Sequence, residues 1–240
     1  MERDKFLDLT REEQGMLSQA FPALMRKVYI WMTLALAITG ITAFGVASSP
    51  SLMLMIYGNG VIRWGLIIGT FALVFGVSAG INRLSLTTAT GLFVLYSVLM
   101  GAMLSSIFVI YEPMLITKVF FITAGTFGVM ALIGYTTKTD LTSMGKILFM
   151  ALIGLIIATL VNVFFVKSGS FDLILSYVGV LIFVGLTAYD SQKIKQMLLT
   201  CEDGGEMSQK LALLGSLTLY LDFINLFLYL LRIFGRGNNN

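Results

Sequence analysis

The feature that most limits what this chain can fold into is a series of seven apolar runs. They are about Val28–Ser48, Ile62–Gly80, Leu86–Tyr111, Met114–Tyr135, Ile147–Val166, Leu173–Tyr189 and Leu211–Phe234. About 20 apolar residues cover a hydrocarbon core of roughly 30 Å at 1.5 Å per residue. Inside hydrocarbon every backbone N–H and C=O must be satisfied within its own segment, so runs of this length are predicted to be helices. The expected fold is an all-α integral membrane protein with seven transmembrane helices. Hydrophobic residues make up 57% of the chain and charged residues 12%, against roughly 45–50% and 25% in soluble domains. That balance excludes a water-soluble globule.

Three segments are expected. Residues 1–25 are polar and lack the short charged head and apolar core of a cleavable signal, so they read as a cytoplasmic tail, with a surface-lying amphipathic helix as one form of it. Residues 26–235 form a single seven-helix domain, and 236–240 a short C-terminal tail. Orientation follows from the basic residues near the span ends. With the N-terminus inside, Arg3, Lys5, Arg11, Arg26, Lys27, Arg83, Lys138, Lys146, Lys193, Lys195 and Lys210 lie on the cytoplasmic side. Only Arg63, Lys118, Lys167, Arg232 and Arg236 lie opposite, a bias of eleven to five. The net charge of +3 is therefore a matter of topology, and no nucleic-acid partner is expected.

The last run carries an acid in its middle. Asp222 lies in Leu219-Tyr220-Leu221-Asp222-Phe223-Ile224-Asn225-Leu226-Phe227, and a carboxylate at mid-helix costs about 2.5–3.5 kcal/mol on insertion scales. Such a residue should face a bundle interior or water rather than lipid. Thr218, Asp222, Asn225, Tyr229 and Arg232 recur at steps of four and three, which puts them on one stripe. The expectation is a last helix ringed by the other six, with Thr218, Asn225 and Tyr229 as pore-lining candidates. A second acid, Asp190, closes the sixth run, and Arg83 follows the second on the same side of the membrane. Were the two acids close, they could not both ionise cheaply and would titrate as one unit holding a shared proton. The remaining acids, Glu112, Asp140, Asp172, Glu202, Asp203 and Glu206, read as solvated loop charges.

With no histidine and one cysteine, Cys201, the chain has no His general base, no His- or thiolate-ligated metal site and no intrachain disulfide. No cofactor is expected. Small residues recur four apart at Gly65/Gly69, Gly76/Gly80 and Ser97/Gly101/Ser105, spacings that permit close helix packing. Asn162 in the fifth run reads as a helix-to-helix hydrogen bond.

Two stretches carry a resemblance. Gly185-Leu186-Thr187-Ala188-Tyr189-Asp190-Ser191-Gln192, and Leu219 to Phe227 with Leu230-Leu231-Arg232 behind it, look like the signature segments of the Bax inhibitor-1 family. Asn82-Arg83 and the span after it, through Gly101, resemble the family's third-helix region. The resemblance implies seven helices with the last central, Asp190 and Asp222 as a pH-sensing pair, Arg83 as its latch, and a pH-sensitive calcium leak. The lack of histidine and the short loops look like a bacterial member in the cytoplasmic (inner) membrane.

Calcium takes oxygen ligands, and Asp190, Asp222, Asn225 and backbone carbonyls form the only sensible set, weak enough for transient binding of this or other cations. The lipid bilayer is the other expected partner. Two further functions fit some of the same residues. An intramembrane aspartyl protease of the presenilin kind also pairs acids on its sixth and seventh helices, one of them in Tyr-Asp, here Tyr189-Asp190. Its Gly-x-Gly-Asp is replaced by Leu219-Tyr220-Leu221-Asp222, and no Pro-Ala-Leu follows. The third is a non-transporting regulator that binds another membrane protein.

Overall fold

A computed structural model describes residues 2–199 and 205–236, with side chains from Phe21 onward. Cys201, Glu202, Asp203, the tail beyond Arg236 and the side chains of residues 1–20 lie outside the described residues. The elements are α1 (Glu2–Ala47), α2 (Pro50–Gly58), α3 (Gly60–Gly80), α4 (Leu86–Leu104), α5 (Ile107–Ile110), α6 (Pro113–Thr136), α7 (Thr142–Val161), a π-helical turn (Asn162–Val166), α8 (Gly169–Leu199) and α9 (Glu206–Arg236). No strand occurs among the described residues. Seven helical stretches are long and apolar enough to cross a membrane, the first beginning at Phe21 and the last at Glu206. Phe44, Trp64, Phe71, Phe75, Phe121 and Phe165 are largely exposed, as a lipid-facing surface requires. The last span is the most enclosed, with 67% of its apolar stretch buried against 11–44% in the other six.

The described chain divides into two compact units, Met1–Ser106 with Ile194–Leu217, and Ile107–Lys193 with Thr218–Asn240. In the first, α1 packs on α4 along the small-residue row expected from the sequence. Thr39 Oγ1 donates to the Ser97 carbonyl at 3.0 Å. A Cβ at Gly101 would come within 2.6 Å of the Thr39 carbonyl oxygen and 2.7 Å of Thr42 Cβ. Gly101→Ala is therefore expected to destabilise the protein by about 1–3 kcal/mol, and thermal unfolding in detergent should show a lowered midpoint. The glycine pairs of α3 do something else. Gly65 and Gly76 meet nothing within 4 Å, and Gly69 reaches only Leu99 at 3.9 Å, so their spacing does not mark a close helix contact. The third run breaks after Leu104 because side-chain hydroxyls can take over the freed carbonyls. Tyr57 Oη donates to Met103 O at 2.7 Å and Ser105 Oγ to Ala102 O at 2.7 Å. Glu206, read above as a solvated loop acid, opens α9 instead. Its Oε1 accepts from the Leu86 N–H at 3.0 Å and pairs with the buried Lys210 at 3.1 Å.

In the second unit, α6 and α7 lie hard against the part of α8 that ends in Asp190. A methyl group at Gly134 would run into the Ala188 backbone, and one at Gly145 into the Tyr189 ring. Phe223 of α9 meets Phe120 and Phe127 of α6 edge to face, each with ring centroids 5.5 Å apart. Asn162 closes the turn between α7 and α8 rather than bridging helices. Its Oδ1 accepts from the Ser168 N–H at 3.0 Å and its Nδ2 donates to the Ser168 carbonyl at 3.2 Å, which lets Lys167 adopt φ 50°.

Candidate functional site

The sequence places the end of the sixth span at Tyr189, yet α8 runs ten residues further, to Leu199. The polar stretch after Tyr189 looks like an exit from the membrane, but its side chains find partners within the protein and the helix continues. Ser191 Oγ donates to the Ala131 carbonyl of α6 at 2.8 Å. Gln192 holds the α6–α7 turn from both sides, accepting from the Leu141 N–H and donating to the Thr139 carbonyl, each at 2.8 Å. The same turn carries Asp140, whose carboxylate accepts from the Thr142 hydroxyl and N–H, bonds that hold it below the usual carboxylate range. Gln192→Ala would leave two turn groups without this partner. A loss of about 1–3 kcal/mol is expected, again read from the unfolding midpoint.

Asp190 thus sits inside a helix, fixed by its two successors, and α9 starts early enough to bring Asp222 alongside it. The two side chains hydrogen-bond to each other. Between two carboxyl groups such a bond needs an O–H donor, so it forms only when one of the pair is protonated. Asp222 is 5% exposed, and its Oδ2 is buried without a hydrogen-bond partner, which disfavours a full charge there. Asp190 is half-buried and feels the positive charge of Lys193 one turn on.

From Asp222 the stripe continues along α9. Asn225 Nδ2 donates to the Leu221 carbonyl of its own helix at 2.8 Å. Tyr229 stacks on Phe183 at 5.8 Å and 28°, hydrogen-bonds the Thr159 side chain, and lies flush on Gly179, where a Cβ would be 2.8 Å from the ring. Thr218, Asn225, Tyr229 and Arg232 are half-buried, whereas Leu219, Tyr220 and Leu226 on the other faces are wholly enclosed. The stripe ends at Arg232, which pairs with Asp172 at 3.3 Å. Asp172 is thus no solvated loop charge. It lies in the first turn of α8, eighteen residues before Asp190, about five whole turns and so on the same helix face. That spacing was the signal for it. Ser191 and Gln192 had only their place beside Asp190 to mark them.

Arg83 belongs to the first unit, in the turn between α3 and α4. Its side chain is exposed and makes no ion pair with any described residue. Among the described residues no group of three or more His, Cys, Asp or Glu could hold a metal ion, so the carboxyl pair has no third acid beside it.

Residues 22–240 match the family described as "Inhibitor of apoptosis-promoting Bax1". The chain belongs to the Bax inhibitor-1 family. Its bacterial relatives include the "Inner membrane protein YbhL" of Escherichia coli, 51% identical over 213 residues, covering 88% of this chain and 90% of YbhL. A protein of Borreliella burgdorferi is 45% identical over 234 residues, 98% of this chain and 100% of the relative, and one of Rickettsia prowazekii 44% over 213 residues, 88% of each. This Bax inhibitor-1 protein is an integral multi-pass membrane protein.

Proposed function

We propose that this Bax inhibitor-1 protein is a pH-sensitive leak channel for calcium or other cations, gated by the proton content of the Asp190–Asp222 pair and latched by Arg83. One observation carries the reading: two carboxyl groups share a hydrogen bond in the interior of a membrane helix bundle, one of them almost wholly enclosed. Intramembrane acids are expensive and usually functional. The stripe of Thr218, Asn225 and Tyr229 lines the path from the pair. Asp190 and Asp222 form a weak, passing calcium site, because two carboxyl groups with few companions hold a hard cation only loosely.

Near neutral pH the pair carries one proton and about one negative charge, which Arg83 neutralises in the closed state. A second proton at acid pH removes that charge, Arg83 leaves for water, and the leak increases. Calcium flux into liposomes holding only this protein tests the reading, with more flux expected as pH falls. A protein that carries no cation at any pH would sink it. The same carboxyl pair is also what an aspartyl protease needs. Cleavage of a membrane-helix substrate by the purified protein would replace the channel reading, and neither flux nor cleavage would leave a regulator of other membrane proteins.

We place the protein in the bacterial cytoplasmic membrane, as YbhL is named an inner membrane protein, with its N-terminus inside by the eleven-to-five bias of basic residues. A tag at Met1 should stay unlabelled by impermeant reagents on intact cells. Labelling from outside would reverse the topology.

A further inference from the structure

Arg232, at the end of the polar stripe of α9, lines a cavity of about 580 Å³ within the second unit. Its charged lining is Glu112, Lys167, Asp172, Arg232 and Arg236, two acids against three bases. Arg236 donates to the Gly169 carbonyl. The Arg232 guanidinium lies 5.5 Å from the Tyr229 ring centroid on one side and 3.3 Å from the Asp172 carboxylate on the other. A cation moving from the cavity towards Asp222 along the stripe meets a fixed guanidinium, and Asp172 is the group that masks it. Resting on the channel reading above, we propose that this cavity is the non-cytoplasmic vestibule of the path and that the Asp172–Arg232 pair sets which sign of charge passes it. With both present the vestibule admits cations. Without the Asp172 charge, Arg232 repels them and the cavity favours anions.

The test has two readouts on the full-length protein. The first is calcium flux in liposomes. Asp172→Asn should lower it and Arg232→Gln raise it, each by about two- to fivefold for a half-exposed pair, while Arg232→Lys, which keeps the charge, should stay near the parent. The second does not depend on flux. Val163 lines the cavity and is exposed, so Val163→Cys in a Cys201→Ser background offers one thiol there. The ratio of its labelling rates with anionic and cationic thiosulfonate reagents reads the local potential. Asp172→Asn should shift that ratio towards the anionic reagent and Arg232→Gln towards the cationic one, by similar factors. A parent that conducts, with variants that leave the ratio unmoved or change flux in the same direction, overturns the assignment of Asp172 and Arg232 alone. A parent that conducts no cation overturns the channel reading itself.

Discussion

Replacing Asp222 by Asn is expected to remove most of the pH dependence of calcium flux, and Asp190→Asn to do the same. A gate that turns on one proton can change flux by up to about tenfold per pH unit on its steep limb, and either substitution should flatten that to about twofold or less. The amide keeps the volume of the carboxyl group and can still donate to its partner, so the contact between α8 and α9 survives while the shared proton does not. The bundle should stay folded, because Asp190 is held in place by its neighbours Ser191 and Gln192 rather than by its charge. A variant that folds and keeps the parent's pH profile would show that the acids are not a coupled sensor.

The second large effect concerns Arg83. The guanidinium stays charged at every accessible pH, so its partner alone decides whether it is held. Arg83→Ala should therefore leave flux high at neutral pH and blunt the acid response, since the closed state loses the cation that neutralises the pair. The fold should tolerate the change, as the side chain is exposed in a turn and pairs with nothing among the described residues. The readout is the ratio of flux at neutral to acid pH, expected to rise towards one. Flux below the parent's at every pH, in a folded variant, would make Arg83 a structural anchor at the interface instead.

The seven spans were legible because hydrocarbon leaves an apolar chain no choice but helices of about 20 residues or more. Their ends were less so. Composition says that Asp190-Ser191-Gln192-Lys193 leaves the membrane, and only the carbonyl of Ala131 and the turn at Thr139–Leu141 show why α8 continues. Glycine spacing misled in α3, where Gly65 and Gly76 face open space. Spacing did mark the close approach at Gly101, but others lie at isolated glycines such as Gly134 and Gly145, which no spacing distinguishes, because the partner's shape decides. The carboxyl pair stood out as two acids in an apolar interior. Asp172 is marked only by its spacing from Asp190, and its meaning depends on Arg232, sixty residues away in the chain.

The most direct test of proton sharing is the infrared C=O stretch of protonated carboxyl groups, followed across a pH series in the purified protein and assigned by its loss in Asp190→Asn/Asp222→Asn. In the parent a protonated-carboxyl band should persist at neutral pH and grow on acidification in step with calcium flux. A parent in which both carboxyls are ionised at neutral pH, or in which the band changes without any change in flux, would contradict gating by this pair.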